Sequence, residues 1–502
     1  MSIRRIFAGL FPALFTFICA AQPVNPDAKN AVLYDQYIRQ AMPVWRTPGL
    51  SVVVVKNGNV VFSKGYGVRD ALTKEAFTPT TLSACASTSK AMTAVCMGIL
   101  VDEGKVKWSD KVSDILPEFK LSDPYSTAEI TVLDLFTHNT GLGNADYLWV
   151  FGYNRSEVLR RMQYIPPAYS LRASYTYQNL MYMVAGEVIR KVSGTTWDEF
   201  IQKRIFAPLA MQHTYSDHSA IPSTEIKTTG HFRHPDTDSV MTIPYPYNDN
   251  IGAAGGVWSC AEDMGKWITC MLDSSKYGTK RLITPDTWSF LFRPKIVVPG
   301  LMYPTMKMIK PHWQTYGMGW FQHDYKGSMV NFHTGSLDGL TTIIGLLLDQ
   351  HTGVYIFGNL DHAELRHALM YKALDLWGSN DNSNDWSNRF YPLYKEQEDT
   401  VKKRLNELLA RRVTGTKPSL ALTAYKGKYS NRLLGDVQVE LKGDALQIDF
   451  PENIKLELAH WHFDTFRGTF NNWWNDRSWV QFILDKEGNV SGISIDGDVF
   501  SK

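Results

Sequence analysis

The stretch Leu50-Ser51-Val52-Val53-Val54-Val55, followed by Asn57-Gly58 and then by Val60-Val61-Phe62, decides how this chain begins to fold. Two apolar, β-branched runs on either side of Asn-Gly are typical of a β-hairpin. Asn and Gly adopt the positive φ angles that a type I′ turn needs. We therefore predict that the first structured region contains a β-hairpin.

Downstream of the hairpin the spacing of apolar residues becomes helical. From Ser87 onwards Met92, Val95 and Ile99 recur on one face, and Gly104 ends the pattern. Four further helix starts are predicted where a capping residue precedes an apolar-periodic stretch. They are Thr131-x-x-Asp134, Thr196-x-x-Glu199, Ser259-x-x-Glu262 and Thr284-Pro285.

Strand character returns near the end of this region. Residues 341–349 and 354–359 form two apolar runs joined by a turn at 350–353, and a helix is expected over 363–377. A chain that starts with a hairpin, inserts helices and then resumes strands favours one antiparallel sheet built from both ends. The predicted class is α+β, an α/β sandwich in which helices flank the sheet and the insertion forms a helical lobe.

The remaining chain divides into a linker and a second β domain. Residues 378–385 are polar, a charged helix is predicted over about 394–412, and a second loop follows at 414–419. The tail alternates short apolar runs with Gly, Asp and Asn turns, which indicates a small antiparallel β-barrel or sandwich. We predict a domain over 22–378, a linker with a charged helix over 379–419, and a β-barrel over 420–502.

The first 21 residues have the pattern of a secretory signal peptide. Arg4 and Arg5 precede an apolar run over 6–18, and Cys19-Ala20-Ala21 supplies the small residues that a signal peptidase needs. The apolar run is too short to span a bilayer about 30 Å thick. We expect export to the periplasm or the exterior, with membrane attachment only through an uncleaved or lipidated N-terminus.

Composition excludes several classes of function. The chain has 52 Lys and Arg against 50 Asp and Glu, without a basic stripe, which argues against nucleic acid as a partner. The histidines show no metal-ligand spacing, so neither a metal nor another cofactor is expected. Four cysteines would remain after cleavage, and their spacing favours buried free thiols: Cys85, Cys96, Cys260 and Cys270.

Ser87-Thr88-Ser89-Lys90 is the first motif with chemical potential, and it is the one S-x-x-K sequence in the chain. Residues i and i+3 share one face of a helix, so the hydroxyl and the amine can meet. A lysine in the first turn opposes the helix macrodipole, which disfavours its ammonium form. Both effects suit a serine nucleophile with a lysine base.

Tyr177-Gln178-Asn179 is the second motif, because it opens an apolar helix. A tyrosine held partly as phenolate by a nearby ammonium can shuttle the serine proton, and an Asn amide can hold a substrate carbonyl. The same pattern at Tyr429-Ser430-Asn431 lies in the predicted barrel without a helix, so we interpret that copy as accidental.

His333-Thr334-Gly335-Ser336 is the third motif and is expected immediately before a strand. Gly335 would let a substrate backbone approach the strand edge, and the following N–H can donate to an oxyanion. A second copy at 351–353 falls in the turn between two predicted strands and is interpreted as a decoy.

The order and spacing of these motifs resemble the serine β-lactamase and penicillin-binding-protein superfamily, in particular its class C β-lactamase-like branch of peptidases and esterases. The segments 130–142 (ITVLDLFTHNTGL) and 253–264 (AAGGVWSCAEDM) are similar to recurring segments of that branch. The tail, with Tyr425-Lys-Gly-Lys-Tyr429, is similar to the lipocalin-like barrel of some members. The resemblance implies a β-lactamase/transpeptidase-like fold over about residues 30–377.

The resemblance also implies roles for the three motifs. Ser87 would attack a carbonyl and form an acyl-enzyme, while Lys90 and Tyr177 would act as a coupled pair that takes and returns its proton. Asn179 would orient the substrate. The backbone N–H groups of Ser87 and Ser336 would form the oxyanion hole, and His333 and Thr334 would line the site.

One residue departs from the pattern of typical β-lactamases, which place lysine where His333 stands. A histidine is mostly neutral at pH 7 and offers no permanent cation to a substrate carboxylate. We therefore expect an esterase or peptidase that acts on small esters, amides or D-amino-acid-containing peptides, with weak or no β-lactamase activity. The alternatives are a non-catalytic penicillin- or peptidoglycan-peptide-binding sensor and a true β-lactamase, and the oligomeric state stays open.

Overall fold

The structure is a computed structural model that describes residues 26–502 except 236, 246–248, 476 and the side chain of Glu452. The expected signal peptide over 1–21 and Cys19 lie outside the described residues. Within the described chain, none of the helices is both long and apolar enough to cross a membrane.

An eight-stranded antiparallel sheet forms the centre of the region before residue 378, in the order β2-β1-β14-β13-β12-β11-β10-β9. Three further strand pairs are short. The strands are β1 (Gly49–Lys56), β2 (Asn59–Gly67), β3 (Ser83–Ala84), β4 (Gly230–Arg233), β5 (Val240–Ile243), β6 (Trp258–Ser259), β7 (Lys276–Tyr277), β8 (Lys280–Arg281), β9 (Ile296–Val297), β10 (Gln314–Tyr316), β11 (Phe321–Tyr325), β12 (Ser328–Leu337), β13 (Leu340–Leu347) and β14 (Thr352–Gly358).

The predicted hairpin is confirmed. Strands β1 and β2 pair antiparallel around Asn57 and Gly58, whose φ angles of 50° and 77° belong to a type I′ turn. The pairing of β1 with β14 joins the two ends of this region in one sheet, as the sequence predicts.

Helices cover both faces of the sheet. They are α1 (Pro26–Trp45), α2 (Ser89–Asp102), α3 (Val112–Ile115), α4 (Pro124–Glu129), α5 (Tyr147–Val150), α6 (Arg155–Arg161), α7 (Asn179–Ser193), α8 (Trp197–Ile201), α9 (Gly252–Gly255), α10 (Ala261–Leu272), α11 (Pro285–Phe292), α12 (Met306–Ile309), α13 (Leu365–Ala373) and α14 (Trp386–Ala410). Helices α1, α13 and α14 contribute to the core on one face, and α2, α7 and α10 to the core on the other.

The alternation along β1 shows why this strand is apolar throughout. Val52 and Val54 belong to the core shared with α1 and α13, whereas Val53 and Val55 belong to the core shared with α2 and α10. Successive side chains of a strand point to opposite faces, so a strand between two helical layers needs apolar residues at every position. The predicted α/β sandwich with a helical lobe is confirmed.

The C-terminal region is a closed eight-stranded antiparallel barrel, which confirms the small β-barrel predicted there. Its strands are β15 (Gly427–Asn431), β16 (Gly435–Lys442), β17 (Ala445–Asp449), β18 (Lys455–His462), β19 (Thr465–Phe470), β20 (Ser478–Leu484), β21 (Val490–Ile495) and β22 (Asp498–Ser501). Tyr425, Tyr429, Phe466 and Phe482 fill its interior.

Four local predictions need correction. After Thr131 the chain forms a short 3₁₀ helix, Leu133–Phe136, rather than an α-helix. The charged helix begins at Trp386 rather than near 394, because Trp386 and Phe390 pack into the core beside Tyr371. Ser259 does not cap α10: it lies in β6, and its hydroxyl contacts Thr214. The third motif lies inside β12 rather than before a strand.

Candidate active site

The nucleophile candidate Ser87 lies in a short 3₁₀ turn, Ala86–Thr88, that leads into α2. Ala86 has a φ of 46°, in the left-handed region that is unfavourable for residues other than glycine. The strain is maintained because Ala86 is buried among Leu82, Trp258 and Leu340. Backbone strain of this kind is common next to catalytic groups, and here it directs Ser87, which is half-buried, away from the core.

Lys90 follows one helical turn later and is fully buried. Its Nζ lies 3.1 Å from Ser87 Oγ, 2.7 Å from Asn179 Oδ1 and 2.7 Å from the carbonyl oxygen of Ala254. The i and i+3 spacing therefore brings the hydroxyl and the amine together. All three partners of the amine can accept hydrogen bonds, so they define where its protons point.

Burial lowers the pKa of Lys90 to about 7, and the Asp146 carboxylate acts in the opposite direction. In the neutral amine, two N–H bonds can point at Asn179 and Ala254 while the lone pair points at the Ser87 hydroxyl. That arrangement makes Lys90 a base for Ser87 near neutral pH.

Tyr177 lies over the same amine, since Lys90 Nζ is 4.9 Å from the centre of its ring. Its hydroxyl faces Ser87, which lowers the tyrosine pKa, but no described atom lies in hydrogen-bonding geometry with it. Burial is the larger effect and raises the pKa of Tyr177 well above 10. The expected partial phenolate is therefore wrong for this structure, and Tyr177 is a neutral phenol that can donate its proton.

Asn179 is the first residue of α7, and both ends of its amide are engaged. Its Oδ1 accepts from Lys90, and its Nδ2 donates to both carboxylate oxygens of Asp146 at 3.1 Å each. Asn179 thus connects a buried amine to a carboxylate. Its predicted contact with substrate would require the amide N–H to turn away from Asp146.

Strand β12 forms the opposite side of the site. Its pairing with β11 ends at Phe332, whereas its pairing with β13 continues to Leu337. One edge of the segment 333–337 is therefore open along β12. A Cβ atom on Gly335 would lie 2.4 Å from the carbonyl oxygen of Cys85 and 3.2 Å from the amide nitrogen of Ser87. Gly335 is needed because the chain that carries Ser87 packs against this strand.

His333 does not present its ring to a substrate. It is 1% exposed, its Nδ1 lies 2.6 Å from the carbonyl oxygen of Thr334, and its Nε2 lies 3.1 Å from the hydroxyl of Tyr316. Nδ1–H therefore donates to the carbonyl, and Nε2 accepts from the tyrosine. Burial lowers the pKa of His333 to about 3, so the ring is neutral, as the sequence suggests. The ring lies on the Lys90 and Tyr177 side of β12, 6.0 Å from the Tyr177 ring, with both of its nitrogens engaged by protein groups.

Thr334 and Ser336 point to the opposite face of β12 from His333, and three residues that the sequence did not single out hold them there. Tyr303 Oη lies 2.6 Å from Thr334 Oγ1. Arg366 donates from Nη1 to the carbonyl oxygen of Gly335 and to Ser336 Oγ, while its Nη2 donates to Glu364. Ser336 itself is exposed. These contacts fix the strand beside the nucleophile.

A cavity of about 540 Å³ lies next to Tyr303 and Glu364. Its lining combines the aromatic rings of Trp45, Tyr303, Tyr391 and Tyr394 with charged side chains such as Glu364. It lies beside the site rather than at Ser87.

The two segments that resemble recurring family segments contact the candidate catalytic groups. In the first, His138 Nδ1 accepts from the backbone N–H of Gln178, between Tyr177 and Asn179. In the second, the carbonyl oxygen of Ala254 accepts from Lys90. A backbone carbonyl leaves no residue-type signal in a sequence, so this partner of Lys90 could not have been recognised from the pattern alone.

The four cysteines are free and buried, as predicted. Within the described ranges, no group of three or more His, Cys, Asp or Glu side chains is arranged to hold a metal ion. The expectation that the protein needs no metal or other cofactor stays a prediction.

Comparisons with known proteins find relatives for both regions of the chain. The family model described as Beta-lactamase matches residues 34–376, and one described as a domain of unknown function (DUF3471) matches residues 411–501. The octameric penicillin-binding protein homologue from Pyrococcus abyssi superposes with a TM-score of 0.63 at 20% identity, over 93% of this chain and 99% of that chain. At that identity the likeness shows the fold.

Curated relatives include two fungal hydrolases and a bacterial protein. Unguisins hydrolase ungD' of Aspergillus campestris is 27% identical over 386 residues, 74% of this chain and 70% of the relative. Unguisins hydrolase ungD of Aspergillus violaceofuscus is 24% identical over 483 residues, 88% of this chain and 84% of the relative. Protein flp of Staphylococcus aureus strain MW2 is 25% identical over 65% of this chain and 62% of the relative.

Proposed function

The chain belongs to the Beta-lactamase family and is a serine hydrolase, and we propose that it forms an acyl-enzyme with a small ester, amide or D-amino-acid-containing peptide. The observation that carries the proposal is the position of Lys90 Nζ between Ser87 Oγ, Asn179 Oδ1 and the Ala254 carbonyl. A buried amine with a pKa of about 7 and a hydroxyl at 3.1 Å forms a nucleophile–base pair.

Acylation begins when neutral Lys90 accepts the proton of Ser87 as Oγ bonds to the substrate carbonyl carbon. The carbonyl oxygen becomes an oxyanion, which the backbone N–H groups of Ser87 and Ser336 would stabilise. One such donor is worth about 3 to 4 kcal/mol in the barrier. The close approach of Gly335 to the Ser87 amide supports this pairing of donors.

The tetrahedral intermediate then collapses, and the bond to the leaving oxygen or nitrogen breaks. The leaving group needs a proton, and Tyr177 can donate its phenolic proton while Lys90 returns one to the tyrosine. Water next attacks the acyl ester and gives its proton to the same pair, which releases the carboxylic acid and restores Ser87.

The substrate class follows from the polar groups beside Ser87. The neutral His333 ring is directed at Tyr316 and Thr334, so it supplies no cation for the carboxylate of a β-lactam. The open edge of β12 over 333–337 suits an extended acyl chain or peptide. Two relatives are named as hydrolases of unguisins, which supports hydrolysis as the reaction.

Export is part of the proposal. Arg4, Arg5 and the apolar run over 6–18 support a signal peptide, and cleavage after Ala21 would release the mature chain. Edman sequencing of protein recovered from the periplasm or medium should begin at Gln22. A cytosolic protein that begins at Met1 would contradict export.

A panel of acyl donors tests the activity. Wild-type protein, Ser87→Ala and Lys90→Ala are compared on p-nitrophenyl esters, D-aminoacyl p-nitroanilides and a chromogenic cephalosporin, with intact-mass detection of adducts. We expect ester or amide turnover and a Ser87 adduct in the wild type, both lost in Ser87→Ala, and acylation lost in Lys90→Ala with unchanged circular dichroism.

Two outcomes would overturn the proposal. Adducts without turnover on any donor would favour the non-catalytic binder, and cephalosporin turnover faster than ester turnover would favour a true β-lactamase. Full activity in Lys90→Ala would refute the proton-transfer scheme.

A further inference from the structure

We infer that Asp146 is a positioning residue for Lys90 and that the C-terminal barrel holds Asp146 in place. The inference deepens the proposed acyl-enzyme function and rests on it. No sequence motif includes Asp146, and the barrel is far from it along the chain.

The link from Asp146 to Lys90 runs through Asn179. Both carboxylate oxygens of Asp146 accept from Asn179 Nδ2, which leaves Asn179 Oδ1 to accept from Lys90 at 2.7 Å. Without the carboxylate, the amide of Asn179 could turn over and present N–H groups to Lys90. That orientation would repel the ammonium and misplace the lone pair of the neutral amine.

The charge of Asp146 acts on the same amine. Lys90 Nζ is surrounded by the Ser87 hydroxyl, Asn179 Oδ1, the Ala254 carbonyl, the rings of Tyr177 and Tyr182 at 4.9 and 5.3 Å, and the neutral rings of His138 and His333. None of these groups carries a negative charge, and the Asp146 carboxylate beyond Asn179 is the charge that raises the pKa of Lys90 against burial. Its removal should lower that pKa.

The barrel contacts the residues that directly follow Asp146. Tyr147 packs against both the hydrolase core and the barrel core. The rings of Phe151 and Phe450 stack at 5.4 Å, and Tyr153 Oη donates to the carbonyl oxygen of Leu434 at 2.7 Å. Segment 147–153 is short and contains a single turn of helix, so these contacts fix the position of Asp146 more than the segment can by itself.

A second contact between barrel and hydrolase region provides a matched control. Trp474 Nε1 donates to Asp338 Oδ2 at 3.0 Å, and Trp473 stacks on His234 at 5.3 Å. These residues belong to the turn between β12 and β13 and to β4–β5, not to segment 147–153. Loss of that contact weakens barrel docking without disturbing Asp146.

The first experiment replaces the carboxylate. Acylation of Asp146→Asn and Asp146→Ala by p-nitrophenyl acetate is followed by stopped flow and intact mass across pH. We expect the acid limb of the profile to move to lower pH in both, and the plateau rate to fall about tenfold or more in Asp146→Ala. A profile and plateau equal to those of the wild type would overturn the role of Asp146.

A readout independent of catalysis separates this inference from the proposed function. The Cε resonance of Lys90 in ¹³C-lysine-labelled protein, assigned with Lys90→Met, is titrated in wild type and Asp146→Asn. A lower titration midpoint in the variant supports the inference even where no adduct forms on Ser87. An unchanged midpoint contradicts it even where the wild type is active.

The second experiment tests the barrel. Phe450→Ala changes only the barrel side of the stack, Phe151→Ala changes the other side, and Trp474→Phe removes the hydrogen bond to Asp338. We expect the two Phe variants to slow acylation about three- to tenfold, and the double variant to slow it no further. Trp474→Phe should acylate at the wild-type rate. Equal rates in Phe450→Ala, Trp474→Phe and wild type would show that the barrel does not hold Asp146.

Discussion

Tyr177-Gln178-Asn179 in the hydrolase region and Tyr429-Ser430-Asn431 in the barrel share one sequence pattern but have opposite surroundings. Tyr429 donates to the carbonyl oxygen of Tyr425 at 2.6 Å inside the barrel core. Asn431 accepts from two backbone N–H groups and donates to the carbonyl oxygen of Val499. In the barrel, backbone groups satisfy these side chains.

In the hydrolase region the same side chains face an amine and a carboxylate instead. Tyr177 has a buried hydroxyl without a hydrogen-bonding partner among the described residues, and Asn179 bridges Lys90 and Asp146. The comparison shows that a catalytic role requires polar side chains whose hydrogen-bonding groups are not all taken up by the backbone. Buried side chains that the backbone satisfies stabilise the fold.

The two His-Thr-Gly copies repeat this contrast. His333, Thr334 and Gly335 lie on β12 against the chain that carries Ser87, whereas His351 is exposed in the turn between β13 and β14. In each pair of similar sequences, one copy lies near Ser87 and the other does not. A substitution in the first copy can therefore be compared with the same substitution in the second copy as a control.

The largest expected effect separates the two tyrosines. Tyr177→Phe should lower kcat about 10²- to 10⁴-fold, because the leaving group loses its proton donor. Its melting temperature should change little, since the hydroxyl has no hydrogen-bonding partner among the described residues.

Tyr429→Phe is the matched control. It should keep the wild-type kcat and lose about 1 kcal/mol of unfolding free energy, since the carbonyl of Tyr425 loses a buried donor. Steady-state kinetics and urea unfolding measure both variants. Equal kcat values for the two would remove Tyr177 from the mechanism.

The glycines give the second contrast. Gly335→Ala would place a methyl group 2.4 Å from the backbone oxygen of Cys85, so we expect displacement of Ser87 and a loss of acylation of about tenfold or more. Gly353→Ala would meet the side chains of Ile268 and Leu346, which can shift. It should lose about 1 to 3 kcal/mol of stability and retain activity per folded molecule. Active-site titration with chemical unfolding tests the pair, and normal acylation in Gly335→Ala would contradict the packing argument.

The histidines give the smallest contrast. His333→Asn removes the acceptor of Tyr316, and we expect acylation to slow a few-fold because the packing beside Tyr177 and Lys90 is disturbed. His351→Asn should leave acylation unchanged, since asparagine tolerates the φ of 43° at that turn. Burst amplitudes and rates on a p-nitrophenyl ester compare the two. A slower rate in the His351 variant would contradict the expectation that this turn has no part in acylation.

Local rules explain how much of the fold the sequence could predict. Asn57-Gly58 fixes a hairpin by its φ angles, and the alternation of burial along β1 follows from its uninterrupted valines. The spacing of Ser87 and Lys90 predicted their contact because a helix brings i and i+3 together. Helix starts were less reliable, since packing of Trp386 and Phe390 extended α14 beyond its charged pattern.

The rest of the site depends on contacts between distant segments. Asp146, Arg366 and the Ala254 carbonyl meet the three motifs only after folding, and none has a distinctive spacing from its partner. The ring of His333 lies on the Lys90 side of β12, but both of its nitrogens are engaged by Tyr316 and Thr334, and no sequence spacing indicates the contact with Tyr316. A sequence pattern shows residue types and their spacing along the chain. The roles of these residues depend instead on which atoms each buried group contacts in the folded protein.

The pH dependence of Ser87 acylation tests the central claim, that buried Lys90 is the base. Only the neutral amine can accept the serine proton, so its fraction, and with it the rate, falls about tenfold for each pH unit below its pKa. The account predicts an acylation rate that rises with pH, bends near pH 7 and is level above it. A rate that keeps rising to about pH 10, where an exposed lysine titrates, or a rate independent of pH, would contradict it.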